Sequence, residues 1–301
     1  MKQGKSMRMR ILLLEGDSSL GRALVHLAGQ EGIDVQAVDR PRSGWQAKQL
    51  ADWLNQYQAD AVINLAYFHE QFQLGIVDPQ QLTALDEFTR VLVELCAKDK
   101  RLLVQPSSAR VFDGLKPAPY TEKDERLPGD GLGLVQSELE KLIATQCPRY
   151  AVLRFSWLLD GSAEGQLAKL LEQLHGPQPV LLAEEWRGNP TPVEDAARVL
   201  LAVLKQLDCE APLYGVYHYG STEPSSWISF AKSLAQELMA SNKLDHDPVI
   251  RSIPFDKQTE VGWEPQNAVL TSRRILMTFG VKPRPWRAQL GLLLENIEPL
   301  K

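Results

Sequence analysis

The sequence predicts an α/β fold in which a doubly wound, Rossmann-like parallel sheet carries a smaller C-terminal lobe. Short continuous apolar runs alternate with longer segments of helical periodicity through the first half of the chain, and this alternation is typical of parallel strands connected by helices. The first apolar run ends in Gly, Asp and Ser residues that lead into a helical pattern, as in a βαβ unit. Proline-containing stretches interrupt the alternation after Trp157, which indicates a second architecture.

The individual elements follow from the same periodicities. The first strand is expected at residues 8–14, because this apolar run ends at the turn residues 16–19. Apolar residues from Leu20 to Leu27 recur at helical spacing and predict the first helix, which ends near Gly29 and Gly32. The alternation then predicts strands at 35–38, 61–65, 102–106 and 151–155, and helices at 45–57, 82–97, 132–144, 193–207 and 227–239.

The domain division follows the change in pattern. Residues 1–157 are expected to form mainly the nucleotide-binding domain, and residues 158–301 mainly a smaller substrate-binding lobe with some segments that return to the sheet. The segment between Gly114 and Gly131 is rich in Pro, Gly and charge. It is too long for a simple connection, so it is expected to border a site.

Composition excludes several classes of function. The chain has 301 residues, 44% of them hydrophobic, and a formal net charge of -5, which suits a large soluble domain and disfavours nucleic-acid binding. No apolar run approaches the roughly 18 residues of a membrane span, and the apolar run after the basic start is too short for a signal peptide. Three cysteines without CxxC spacing and five scattered histidines predict a reduced, cytoplasmic protein without a metal site.

The turn after the first strand resembles a degenerate dinucleotide-binding loop. Such a loop uses three glycines, for the tight turn, for close approach of the backbone to the pyrophosphate and for helix packing. A GxxGxxG spacing aligned on Gly21 places Glu15 and Ser18 at the other two positions, and alignment on Gly16 also retains a single glycine. A glutamate carboxylate beside a pyrophosphate is repulsive, so cofactor binding is expected to be weakened or lost.

The cofactor, if bound, is expected to be NADP or NAD. Asp39 at the end of the second strand is placed to hold an adenosine ribose, whereas Arg40 beside it would favour a 2'-phosphate. A strand-end Asp-Arg pair in a turn with Pro41 is an equal alternative without a binding role. The residues expected to face the cofactor are Gly16, Ser18, Ser19, Leu20, Gly21, Asp39, Arg40, Leu65 and Ala66.

Several segments resemble, in order, those of the dTDP-4-dehydrorhamnose reductases, which are extended short-chain dehydrogenase/reductases. Residues 103–114 are similar to the strand and loop that this family writes as S-T-D-Y-V-F-x-G, and residues 152–157 resemble its L-R-x-S-W strand. Further similar segments lie at residues 119–122, 188–192, 215–218 and 273–280. The resemblance implies a nucleotide-sugar or nucleotide ligand, places Ser108 at the catalytic hydroxyl position, and suggests substrate contacts from Asn189 and Thr191.

Arg110 stands where the family usually has Tyr. Its guanidinium suits a phosphate of the ligand, or alternatively a plain surface salt bridge. The choice between a substrate contact and a structural pair stays open at the level of the sequence.

The resemblance also places Leu132 and Gln136 at the positions of the family's catalytic Tyr and Lys. In the family, Tyr donates the proton, and Lys lowers the Tyr pKa and holds the nicotinamide ribose. Leu132 cannot exchange a proton, and Gln136 carries no charge to depress a neighbouring pKa. Loss of a general acid costs roughly two to four powers of ten in rate.

Three hypotheses follow. The first is a catalytically impaired relative that binds a nucleotide or nucleotide sugar and acts as a sensor or regulatory subunit. The second is an active reductase or epimerase of a nucleotide sugar that uses Ser108 with a relocated acid, Tyr120 or Tyr67. The third is an interaction module with an empty pocket, a homodimer or a complex with another protein, in which Leu132 packs within an apolar helix face.

Overall fold

Six parallel strands form the central sheet of the computed structural model, which describes residues 9–72, 77–161, 165–209, 212–255 and 265–295. The strands are β1 (Ile11–Leu14), β2 (Val35–Val38), β3 (Ala61–Asn64), β4 (Leu102–Ser108), β5 (Tyr150–Phe155) and β6 (Gly215–Tyr219). Within these residues the sheet has the strand order β6-β5-β4-β3-β1-β2 and every neighbouring pair is parallel. This confirms the Rossmann-like α/β fold.

The strand order contains one switch point, and it lies at β1. Ile11 is aligned with Val35 of β2 on one side and with Ala61 of β3 on the other, so successive connections run in opposite directions across the sheet. In open α/β sheets, ligands bind outside the carboxyl ends of the strands at such a point. We call this place, between Glu15 after β1 and residues 65–67 after β3, the switch-point cleft.

Helices cover both faces of the sheet. The helices of the described residues are α1 (Ser19–Gln30), α2 (Leu50–Gln56), α3 (Phe68–Phe72), α4 (Pro79–Lys98), α5 (Gly131–Gln146), α6 (Gln166–His175), α7 (Val193–Asp208), α8 (Trp227–Ala240), α9 (Arg273–Phe279) and α10 (Leu290–Glu295). α1 and α7 pack against each other on one face, beside α9, while α2, α4 and α5 cover the other.

The lobe has its own apolar cluster, which is centred on three tryptophans. The rings of Trp157, Trp186 and Trp227 lie 5.1 to 5.3 Å apart, centre to centre, and α6, α8 and α10 pack around them. Gly188 lies flat against the Trp157 ring, since a Cβ there would clash with the indole. The lobe also holds the short strands Leu158–Leu159, Val180–Ala183, Arg187–Gly188, Thr191–Pro192, Ser225–Ser226 and Ile250–Ile253.

The expected helix at 45–57 is wrong in its first turns. Residues 47–49 form a 3-10 turn and the α-helix begins only at Leu50. Trp45 lies outside the helix because its ring packs on Phe88 while its indole N–H is drawn to Glu15. The other expected helices and strands agree with the structure to within a few residues at their ends. In the described parts of the chain, no helix combines the length and apolarity needed to cross a membrane.

A buried ionic network joins the sheet to the segment that enters the lobe. Glu140 of α5 is 1% exposed and pairs through both oxygens with Arg154 of β5, while it also accepts a hydrogen bond of 2.7 Å from Ser107. Arg154 Nη1 donates to His218 Nε2 at 3.1 Å. Because arginine can only donate, His218 carries its proton on Nδ1 and donates it to the Tyr120 carbonyl at 3.2 Å. Burial lowers the pKa of His218 to about 3, so the ring is neutral at pH 7.

Two glycines of α1 predict opposite effects of alanine. At Gly21 a Cβ would collide with the backbone of Glu15 and Gly16, whereas at Gly29 nothing lies within 4 Å. We expect Gly21→Ala to destabilise the fold by roughly 2 kcal/mol or more, because the helix must move away from the turn. Gly29→Ala should stabilise it by about 0.5 to 1 kcal/mol through helix propensity. Urea unfolding of both variants checks the pair, and equal effects of the two would contradict it.

The buried carboxylate of Glu140 predicts a large loss of stability on truncation. Glu140→Ala leaves Arg154, 2% exposed, without its charge partner, and removal of one member of a buried pair costs about 3 to 5 kcal/mol. Glu138 lies two residues earlier on the same helix and is exposed, so Glu138→Ala serves as the control and should change the unfolding free energy by less than about 0.5 kcal/mol. Chemical denaturation of both variants measures the difference.

Candidate functional site

The turn after β1 retains the backbone of a glycine turn without the glycine. Glu15 has a φ of 64°, in the left-handed region that favours glycine. Ser18 then caps α1, because its hydroxyl accepts the Gly21 N–H at 3.1 Å and donates to the Glu15 carbonyl at 2.7 Å. Gly21 itself packs on the carbonyl groups of Glu15 and Gly16. The geometry therefore fits the alignment in which Glu15, Ser18 and Gly21 occupy the three glycine positions.

The Glu15 side chain spans the switch-point cleft. Its Oε2 accepts the indole N–H of Trp45 at 2.8 Å and the backbone N–H of Tyr67 at 2.7 Å. Tyr67 follows β3 and also has a left-handed φ, 61°. Glu15 is 4% exposed, so the carboxyl fills the space between the carboxyl ends of β1 and β3 and does not point into solvent.

Burial raises the pKa of Glu15 to about 7, and nearby Glu70 adds to this rise. The Trp45 hydrogen bond, the Arg40 charge and the Tyr67 N–H oppose the rise, because each stabilises the carboxylate. The site therefore contains an acid that changes its charge near neutral pH.

Arg40 is committed to carboxylates. Its two terminal nitrogens bind the two Glu70 oxygens at 3.1 and 2.5 Å, and Nη1 lies 3.9 Å from Glu15 Oε1. The guanidinium also lies over the Tyr67 ring, 5.8 Å from its centre. Asp39, directly after β2, is exposed, and its Oδ1 lies beside Gly16 in the turn after β1. In this arrangement Arg40 is held across the cleft, so a 2'-phosphate would have to compete with Glu70.

The remaining residues expected to face a cofactor are packed or hydrogen-bonded within the protein. Leu20, Leu65 and Ala66 are each 1% exposed or less. Ser19 donates to Asp160 at 3.1 Å, on the connection to the lobe. The residues expected to face a cofactor therefore lie around the switch-point cleft, and these four side chains contact other parts of the protein.

The helix α5, which carries Leu132 and Gln136, makes a second set of internal contacts. Ser108 at the end of β4 donates its hydroxyl to Gln136 Oε1 at 2.6 Å and accepts the Arg110 N–H at 3.2 Å. Gln136 Nε2 is buried and has no hydrogen-bond partner in the structure. Leu132, one turn earlier on α5, is 1% exposed and belongs to the apolar cluster under the sheet. The Ser108 hydroxyl is therefore committed to the side-chain oxygen of Gln136, the residue at the position that the resemblance assigns to the family's Lys.

Among the described residues, a small cavity lies beside Ser108. Its volume is about 30 Å³, which is room for one or two water molecules, whereas pockets for small ligands usually enclose about 300 to 1,000 Å³. Arg110, Trp157 and Gln166 contribute to its walls. A hexose does not fit this cavity without movement of its walls.

Comparison with known proteins identifies the family. Residues 9–298 match the model of the RmlD substrate binding domain. The chain belongs to this family. The dTDP-4-dehydrorhamnose reductase of Aggregatibacter actinomycetemcomitans is 25% identical over 285 residues, which cover 93% of this chain and 97% of that protein.

Two solved structures of proteins that are also named dTDP-4-dehydrorhamnose reductase share the fold. The dTDP-4-dehydrorhamnose reductase of Clostridium acetobutylicum has a TM-score of 0.79 at 21% identity and covers 95% of this chain and 99% of its own. The reductase of Bacillus anthracis, solved in complex with NADP, has a TM-score of 0.76 at 18% identity, with 96% and 99% coverage. The RmlD-family fold therefore extends over nearly the whole chain.

Arg110 holds the start of α5 in this RmlD-family chain. Its side chain is 3% exposed and pairs with Asp130 Oδ2 at 2.6 Å, while Asp130 Oδ1 caps α5 through the Gly133 N–H at 2.8 Å. The Arg110–Asp130 salt bridge is present, but Arg110 is buried and Asp130 is half-buried, so it is not an open surface pair. A substrate contact of Arg110 stays a prediction.

The two tyrosines proposed as relocated acids lie in different surroundings. Tyr120 stacks on Phe112 and donates its hydroxyl to Asp113 at 2.7 Å. Burial, together with Asp113, raises its pKa to about 12. Tyr67 lies in the switch-point cleft, where burial likewise raises its pKa. Neither hydroxyl is bound to Ser108 or Gln136 in the structure.

Asn189 and Thr191 belong to the segment at residues 188–192 that resembles the family, and both are buried. Asn189 donates to the Ser221 carbonyl and accepts the Leu270 N–H, both at 2.9 Å, so its amide ties three segments of the lobe. Thr191 is fully buried and donates to the Asn189 carbonyl at 2.9 Å. Both side chains are thus committed to the protein itself, and their contact with a substrate stays a prediction.

Trp45 and Glu70 complete the site, and sequence reasoning missed both. Trp45 was expected inside a helix, and Glu70 lies on α3, a short helix that periodicity does not reveal. One signal was available, because a glutamate directly after a buried strand requires hydrogen-bond donors. Within the residues that the structure describes, no group of three or more His, Cys, Asp or Glu side chains is arranged to hold a metal ion.

The raised pKa of Glu15 predicts a pH-dependent effect of Glu15→Gln on stability. The folded protein holds the Glu15 proton more tightly than the unfolded chain, so this group lowers stability as the pH rises from about 4.5 to about 7. Glutamine carries no such charge. We expect the stability of Glu15→Gln relative to the unmodified protein to rise between pH 5 and pH 8, by about 3 kcal/mol at most.

Thermal or urea unfolding at several pH values measures this difference. Glu31→Gln is the matched control, because Glu31 at the end of the same helix lies in an exposed pair with Lys205. Its difference from the unmodified protein should stay nearly constant across the range. A flat profile for Glu15→Gln would show that the carboxyl is not buried as described.

Proposed function

We propose that this protein is a member of the RmlD family that no longer transfers hydride and that acts as a sensor or regulatory subunit by binding a nucleotide or nucleotide sugar. The observation that carries the proposal is the Glu15 carboxyl, which bridges the switch-point cleft between Trp45 and Tyr67. A dinucleotide pyrophosphate needs this space, and a carboxylate there repels it.

The arrangement of the catalytic helix supports the same conclusion independently. Hydride transfer to a sugar ketone needs a proton donor and a group that polarises the carbonyl. Leu132 is buried in apolar surroundings, and Ser108 donates its hydroxyl hydrogen to Gln136. Two separate parts of the machinery are therefore replaced, one at the cofactor and one at the substrate.

The ligand class is supported by the family and by an open groove on the lobe. The groove has a volume of about 680 Å³ and lies beside residues 114–117, the start of the long loop that the sequence predicts at a site. Lys116 and Arg187 bring positive charge to its walls, and Glu184 and Glu185 bring negative charge. Its size suits a nucleotide-sized ligand.

The free cysteines of the described residues suit a reduced, cytoplasmic setting.

An active reductase is the second candidate, because the match to the reductase from A. actinomycetemcomitans spans almost the whole of both chains. This candidate requires the Glu15 side chain to leave the switch-point cleft and a tyrosine to reach the sugar. The third candidate, an interaction module, draws on Leu134, which is 54% exposed on α5.

We expect the purified protein to show no cofactor-dependent change in absorbance at 340 nm with NADPH and a dTDP-4-keto sugar. The C. acetobutylicum reductase in the same assay serves as the positive control. The triple variant Glu15→Gly/Leu132→Tyr/Gln136→Lys restores the three missing groups, and a slow rate from it would support the assignment of these positions. Turnover by the unmodified protein would overturn the proposal in favour of the active reductase.

Calorimetry with a dTDP-sugar and with dTDP tests the ligand half of the proposal. We expect binding that weakens by roughly tenfold in Arg187→Ala, because a charged contact to a phosphate is lost. The control Arg251→Ala removes an exposed arginine from the neighbouring strand Ile250–Ile253 and should leave affinity unchanged. Absence of any binding at millimolar ligand would refute a nucleotide-sugar ligand.

A further inference from the structure

Two residues with left-handed backbone face each other across the switch-point cleft. Glu15 has a φ of 64° and Tyr67 a φ of 61°, and neither is a glycine. Such conformations cost free energy and persist where surrounding contacts hold them, which is often at switches and ligand clamps. Here the contact that joins them is the hydrogen bond from the Tyr67 N–H to the Glu15 carboxyl.

We propose that Glu15 is a releasable latch: its carboxylate, held by the Trp45 and Tyr67 N–H groups, closes the switch-point cleft, and its protonation and release admit a dinucleotide. This inference rests on the proposed function, because it explains how a binding protein of this family would control access to its own cofactor site. It adds a regulated binding step to that function, with a nicotinamide dinucleotide as the ligand class.

The closed latch has an inner and an outer layer. The inner layer is the Glu15 carboxyl with its two N–H donors, at a side-chain exposure of 5%. The outer layer is the ion pair of Arg40 and Glu70, in which Arg40 is 35% exposed. Arg40 Nη1 lies 3.9 Å from Glu15 Oε1 and so connects the two layers. Removal of the Glu15 charge weakens the inner layer and ends its attraction to Arg40.

The backbone of residue 15 does not need the glutamate. A left-handed φ is favourable for glycine and unfavourable for glutamate, and the tight packing at Gly21 keeps the turn in the shape that a dinucleotide-binding loop requires. The Glu15 side chain, and not the course of the backbone, is therefore what fills the cleft.

Protonation provides the route of release. The charged groups that face the Glu15 carboxyl are Arg40 from the end of β2 and Glu70 from α3, and the Tyr67 side chain also lies close by, after β3. Burial raises the pKa of Glu15 to about 7, so the carboxyl gains its proton as the pH falls through neutrality. A neutral carboxyl accepts weaker hydrogen bonds, loses its attraction to Arg40 and no longer repels a pyrophosphate.

The test measures NADH binding by calorimetry at pH 6 and pH 8. NADH is the probe because NADPH carries a 2'-phosphate whose second ionisation, with a pKa near 6, would add its own pH dependence. The proteins compared are the unmodified chain, Glu15→Gly, Glu15→Gln and the control Glu31→Gln. Circular dichroism and a melting curve verify that each variant is folded.

We expect the unmodified protein to bind NADH about tenfold more tightly at pH 6 than at pH 8, as one required proton with a pKa near 7 predicts. Glu15→Gly should bind roughly tenfold or more tightly than the unmodified protein at pH 8 and lose most of the pH dependence. Glu15→Gln should also lose the pH dependence, which keeps the test valid if the glycine variant does not fold. Glu31→Gln should behave as the unmodified protein.

The latch is refuted if folded Glu15→Gly and Glu15→Gln bind NADH no better than the unmodified protein at pH 8. It is also refuted if the unmodified protein binds NADH equally well at both pH values. Absorbance at 340 nm with a dTDP-4-keto sugar is recorded on the same samples, and only turnover by the unmodified protein bears on the proposed function. The two proposals can thus fail separately.

Discussion

A carboxyl group buried directly after the first strand sets the architecture of the cleft. Burial of a carboxylate is costly unless donors and opposite charge compensate it, and the surrounding chain supplies both. The Trp45 indole is withdrawn from the following helix, Tyr67 takes a left-handed backbone conformation, and Arg40 is drawn across the end of the sheet to Glu70. The closed form of the switch-point cleft is the sum of these adjustments.

The end of β4 and the helix α5 show a second set of internal contacts. The Ser108 hydroxyl donates its hydrogen to the Gln136 side-chain oxygen, and Leu132 contributes apolar contacts to the cluster under the sheet. Under the proposed function, these contacts take the place of the proton donor and the ammonium that a reductase needs. A cavity of about 30 Å³ lies beside Ser108.

The connection between sheet and lobe depends on a different set of charges. Glu140, Arg154 and His218 join α5, β5 and β6, and His218 extends the network to the loop at Tyr120. None of the three takes part in the contacts that hold the Glu15 carboxyl in the cleft.

The sequence by itself determined the fold class, the first five strands of the sheet and the longer helices, because apolar periodicity and turn residues act locally along the chain. It did not predict β6, α3 or α6. It also identified Glu15, Leu132 and Gln136 as departures from the family pattern. Only the tertiary structure decided where the Glu15 carboxyl goes. Its donors come from Trp45 and Tyr67, 30 and 52 residues away, and such contacts depend on how the strand ends meet, which no local pattern encodes. The same reason explains why Glu70 was missed and why the burial of Asn189 and Arg110 became visible only in three dimensions.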